Sequence, residues 1–78
     1  MKVWGVALFI HGQQVRCIVA ANTQKQAAEL LRCPVWFLRR YGAVTANPRE
    51  VEIAHSAACE VFYTPHDNST RWFKRDTR

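Results

Sequence analysis

The stretch TQKQAAELLRCPVWFLRRYG, residues 23–42, decides how the rest of the chain is read. Apolar residues fall at Ala27, Ala28, Leu30 and Leu31, the spacing of one helical face. Thr23 ends a β-like run and can cap this helix, its hydroxyl accepting from a first-turn amide that has no partner inside the helix. Pro34 cannot donate within a continuing helix and steers Cys33 away from helical geometry, yet it suits the first position of a new helix. The stretch therefore predicts two short helices with a break at Cys33-Pro34. Leu38 and Tyr41, three apart, are expected to pack back on the first helix, with Arg39 and Arg40 pointing outward.

Upstream of this corner, Lys2 to Ile10 is rich in β-formers and ends at His11-Gly12, a turn. From Gln14 to Ala21, Val15, Cys17 and Val19 alternate against Arg16, Ile18 and Ala20, so the two runs predict an antiparallel hairpin over 2–21. The first strand is apolar on both faces (Trp4, Val6 and Leu8; Val3, Ala7 and Phe9), the pattern of a central strand or one covered on both sides. Downstream, 43–46 predicts a connector. Asn47-Pro48-Arg49-Glu50 then supplies an N-cap, a proline at the first helical position and an acid in the first turn. That helix is expected to reach about Ala58, with Val51, Ala54, Ala57 and Ala58 inward. Residues 60–63 and 71–74 predict strands around an exposed, turn-rich loop at 64–70, and 75–78 a frayed tail. The order β-β-α-α-α-β-β makes a single small α+β domain, an antiparallel sheet with the helices packed on one face. Leu8, Val19, Leu31, Leu38 and Ile53 are its expected core.

The chain has 78 residues and a net charge of +5. A chain this short buries only about 60–65% of its unfolded surface, so its stability is expected to be modest. The charge is uneven: Lys25, Arg32, Arg39 and Arg40 outweigh Glu29 in the corner, and Arg71, Lys74, Arg75 and Arg78 outweigh Asp76 at the end. Such concentration is the footprint an acidic partner reads. No run approaches the roughly 20 apolar residues of a membrane helix, and the first ten residues do not form a convincing signal peptide. Three cysteines without a close CxxC spacing argue against a disulfide framework and for a reducing, cytoplasmic setting.

Two basic clusters carry the binding expectation: Lys25, Arg32, Val35, Trp36, Arg39 and Arg40 in the corner, and Arg71, Trp72, Lys74 and Arg75 near the end. Arginine and lysine contact phosphates, and an exposed tryptophan is a typical binding anchor. Trp72 and Phe73 among basic residues fit base stacking, but fit better an edge strand guarded by charge. His55 and Cys59 lie four apart without a second pair to complete a zinc site, so no metal is expected. No acid stands at a catalytic spacing to a His or Cys, and no glycine-rich phosphate loop is present. No cofactor, small-molecule substrate or enzymatic activity is expected.

The corner resembles the helix-turn-helix of DNA-binding regulators and of small modules in mobile-element proteins. Ala28 stands where that family has a small residue inside the first helix, Cys33 where it has an apolar residue after the turn, and Leu38 where it has a branched apolar residue in the second helix. Arg40 and Tyr41 match a basic-then-aromatic ending. Arg32 departs from the usual turn glycine and Pro34 from the usual serine. The resemblance implies that Val35, Trp36 and Arg39 lie nearest the bases, because such helices present their N-terminal half to the groove. In size, charge and layout the chain also resembles accessory proteins of phages, some of which inhibit host defences such as CRISPR complexes. That second resemblance implies a host protein or nucleoprotein partner and carries no residues over.

Overall fold

A computed structural model describes residues 1–10, 12–65 and 72–74. Its elements are β1 (Lys2–Ile10), β2 (Gln13–Ala21), α1 (Gln24–Leu31), α2 (Val35–Tyr41), β3 (Ala43–Val44), α3 (Pro48–Ser56), β4 (Phe62–Pro65) and β5 (Phe73–Lys74). The strands form one antiparallel sheet in the order β3-β1-β2-β4-β5. The α+β class and the pairing of the hairpin with the C-terminal strands stand as expected. Gly12, with φ 79, takes the positive-φ conformation at the hairpin turn that glycine adopts without cost.

Four boundaries differ from the sequence reading, one of them the last strand, expected at 71–74 and found at Phe73–Lys74. Ala43 and Val44 are not a connector but a short strand opposite Gly5 and Trp4. The strand expected at 60–63 runs two residues later and takes in Thr64, which is buried. Helix α3 stops at Ser56, and Cys59 beyond it has a left-handed φ of 64, so His55 and Cys59 share no helical face. The rest of the expected loop, Arg71 and the tail at 75–78 lie outside the described residues.

The helices do not lie on one face. Side chains alternate along a strand, so Val15, Cys17, Val19 and Ala21 point to one side of β2, and Ile18 and Ala20 to the other. The first side packs against Ala27, Ala28 and Leu31 of α1 and Leu38 of α2. The second packs, with Val3, against Ala54 of α3. The reason was present in the pattern: Ile18, Ala20 and Val3 make the second face apolar too, and it must be shielded from water.

An ion pair pins α3 to that second face. Glu50, in its first turn and only 6% exposed, accepts from Arg16 Nε at 2.6 Å, from Arg16 Nη2 at 3.0 Å and from Thr45 Oγ1 at 2.7 Å. The guanidinium crosses Gly5, where an added Cβ would meet Arg16 Nη2 at 2.6 Å. A side chain at position 5 would therefore displace the arginine. The Arg16 contact, followed by that of Thr45, holds the Glu50 carboxyl below the usual carboxylate range against the opposing effect of burial, and the Arg16 guanidinium is raised in turn.

Val19, Leu31 and Leu38 are fully buried, as the sequence reading required. Leu8 and Ile53 are half-buried, and Ala58 is exposed because the helix has already ended. Tyr41 is 60% exposed rather than inward. Leu38 fills the space beneath α2 with Val35 and Phe37 packed beside it, and Tyr41 turns out towards β1.

The turn between α1 and α2 follows the capping chemistry. Thr23 Oγ1 accepts from the Gln26 amide at 3.1 Å, which opens α1. At the other end, the Cys33 amide reaches back to the Ala28 carbonyl at 3.0 Å and the Arg32 amide to the Glu29 carbonyl at 3.2 Å. This paired closure needs a left-handed residue between helix and turn, and Arg32 supplies it with φ 59 and ψ 42. A residue with a Cβ is strained there by about 1–2 kcal/mol, whereas glycine is not, though glycine has more freedom to lose on folding. Arg32→Gly is therefore expected to raise stability by about 0.5–1 kcal/mol, read as a higher midpoint in urea. A lower midpoint would show that the side-chain contacts of Arg32 outweigh its backbone strain.

Candidate binding surface

Helix α2 is short because its sequence sets both ends. Pro34 precedes it with an extended ψ of 149, its carbonyl accepting from the Phe37 and Leu38 amides at 3.1 and 3.2 Å. The Gly42 amide closes the last turn on the Leu38 carbonyl at 2.8 Å. With Leu38 inward, the helical repeat turns Trp36, Arg39 and Arg40 away from the sheet. Trp36 is 62% exposed. Arg39 and Arg40 are exposed and enter no ion pair among the described residues. Two cations in the last turn also complement the negative end of the helix dipole.

The aromatic rings of α2 touch in series. Trp36 meets Phe37 edge-on at 5.8 Å between centroids, and Phe37 meets Tyr41 at 4.9 Å. The guanidinium carbon of Arg40 stands 5.7 Å from the centre of the Tyr41 ring. The result is a cationic and aromatic surface held by the buried Leu38, with Val35 and Phe37 packed beside it.

The other expected binding residues are distributed around it. Val35 is half-buried against the first core cluster, so it supports the helix rather than fronting it. Lys25 is exposed on α1, and Arg32 is exposed at the turn between the helices. Trp72 and Lys74 stand at the far edge of the sheet, away from α2. Trp72 packs against the second core cluster and its indole nitrogen is buried, whereas Phe73 faces the other side, near Tyr63. Lys74 lies 3.8 Å from the Glu60 carboxylate. Arg71 and Arg75 fall outside the described residues. The structure thus gathers Trp36, Arg39 and Arg40 and leaves Trp72 and Lys74 separate.

One feature escaped the sequence reading. An open groove of about 330 Å³ runs between α2 and β1, lined by Ala7, Leu8, Phe9, Gln14, Phe37 and Tyr41. Phe9 is 76% exposed, which is unusual for a phenylalanine in a strand. The sign available beforehand was an uninterrupted apolar run at 6–10 in a strand with too little chain to cover it. The groove lining carries no carboxylate, imidazole, thiol or amine; its polar side-chain groups are the Tyr41 phenol and the Gln14 amide.

Among the described residues, no three His, Cys, Asp or Glu side chains converge as metal ligands would. Cys17 is fully buried, and Cys33 and Cys59 are half-buried; none of the three is in a disulfide. No helix of the described residues is long and apolar enough to cross a membrane. The chain matches no protein-family model, no curated protein and no solved structure at a significant level.

Proposed function

We propose that the protein is a small, non-catalytic binding module that contacts nucleic acid through α2, in the reducing setting of the cytoplasm. The observation that carries this reading is the exposed Trp36 beside Arg39 and Arg40, two cations with no carboxylate partner among the described residues. Arginines so placed approach phosphates, and an exposed indole offers a face on which a base stacks. Lys25 and Arg32 extend the positive potential along the helical corner, in the manner of the helix-turn-helix modules it resembles. At seven residues, α2 is only about 10 Å long, enough for a few contacts but not for an extended reading of sequence.

The test is a titration of a generic DNA duplex at two salt concentrations, with Arg39→Ala/Arg40→Ala beside the native chain. The double variant is expected to stay folded, since neither side chain is buried, and to bind more weakly. Its salt dependence is expected to flatten by about one unit of slope for each phosphate it no longer neutralises. Absence of binding by the native chain in low salt removes the reading.

A second reading is favoured by the exposed aromatic groove: an accessory factor or inhibitor of phage type that binds a host protein or nucleoprotein complex. It predicts little affinity for free DNA at physiological salt. Truncation of Trp36 is then expected to weaken binding more than loss of the arginines.

A further inference from the structure

Strand β1 is only partly covered on its outer side. β3 stands beside Trp4 and Gly5 alone, so Val6 to Ile10 has no neighbouring strand on that side among the described residues. The Val3 carbonyl faces outward, accepting from the Thr45 amide at 2.9 Å. Main-chain groups alternate between the two sides of a strand, so the amides and carbonyls of Ala7 and Phe9 face outward as well. Edges of this kind are usually blunted by lysine, proline or a bulge. Residues 6–10 read VALFI and carry no charge. The aromatic groove opens along this same length.

We propose that this edge docks an extended peptide segment that is both apolar and acidic, adding beside β1 as a further strand of the sheet. Its main chain would pair with the outward amides and carbonyls of Ala7 and Phe9. Alternate side chains would enter the groove between Leu8, Phe37 and Tyr41, the division of labour by which strand addition combines affinity with selectivity. The acidic character follows from charge. The groove lining is neutral, the Arg40 guanidinium lies 5.7 Å from the ring of Tyr41 that lines it, and the chain carries +5. A second copy of this chain would bring the same excess charge and its own Arg40 to the seam, where like charges repel. A phosphate backbone has no amides or carbonyls with which to continue the ladder. The edge is distinct from the outward face of Trp36 and Arg39, with Arg40 common to both.

The experiment selects a displayed library of random dodecapeptides on the immobilised native chain, with Phe9→Pro as the counter-target. Proline removes the outward amide of Phe9, a change an edge strand tolerates. The expected result is enrichment of acidic peptides with apolar residues at alternate positions. The leading peptide, resynthesised, should bind at least about tenfold more weakly to Phe9→Pro, a difference of about 1.4 kcal/mol. A copy of that peptide methylated on alternate backbone nitrogens should lose affinity for the native chain by a similar factor. Circular dichroism checks that Phe9→Pro is folded; if it is not, the methylated peptide decides alone. Failure of any peptide to enrich, enrichment of basic peptides, or equal binding of the methylated copy overturns the proposal. So does a peptide-free dimer of the native chain in sedimentation that is absent from Phe9→Pro, which would assign the edge to a second copy.

Discussion

Leu31→Ala is expected to lower the unfolding free energy by about 2–4 kcal/mol, the range for truncating a large residue inside a packed core. Leu31 is 1% exposed and sits where α1 meets both β2 and α2, among Val19, Ala28 and Leu38. Its neighbours are mainly small or β-branched, and they are tied to a sheet that cannot collapse into the space left behind. A domain of this length has roughly 4–12 kcal/mol of stability in all, so this one change removes a large share of it. In a thermal scan the midpoint should fall by on the order of 10–25 °C. A loss below about 0.5 kcal/mol, the size typical of surface substitutions, would show that α1 does not present this face to the sheet.

Glu50→Ala is expected to be the next most damaging change, at about 2 kcal/mol. The carboxylate takes two hydrogen bonds from Arg16 and one from Thr45 in a half-buried setting, and charged hydrogen bonds of this kind contribute about 1.5–3 kcal/mol. Removing one partner of a fully buried pair costs about 3–5 kcal/mol. The lower figure applies here because the Arg16 side chain is 38% exposed and can rehydrate when its partner is gone. The pair also predicts a pH dependence. The folded protein holds Glu50 below its ordinary value, so the stabilisation is fully present above the ordinary carboxylate range. It is lost as pH falls from that range through the lower folded value. Urea unfolding between pH 7 and pH 3 should therefore show a steeper acid loss for the native chain than for Glu50→Gln. Equal slopes would mean that the carboxylate is no better held in the fold than in the unfolded chain.

The cationic face of α2 could be read before the structure was known, because it depends on local chemistry. Pro34 sets where the helix begins, Gly42 where it stops, and the placing of Leu38 inward leaves Arg39, Arg40 and Trp36 no other direction. Phe9 and the groove could not be read this way. Whether an apolar strand residue is covered depends on how far the neighbouring strand extends, and β3 reaches only two residues along β1.

By itself, then, the sequence determined the elements whose causes lie within a few residues: the hairpin 2–21 from its alternation, α1 from Thr23 and its apolar stripe, and α3 from Asn47-Pro48. It also determined the α+β class, since the alternating runs call for a sheet and the apolar stripes for helices packed on it. Only the tertiary structure decided on which side of the sheet each helix lies. The alternation makes both faces of β2 apolar and ranks neither; in the fold, Arg16 meets Glu50 across 34 residues of chain on the face that α3 covers. It likewise decided that Tyr41 turns outward to β1 and that 6–10 is an open edge. Local periodicity states which residues share a face; the length and angle of whatever packs there decide how much of that face stays in water.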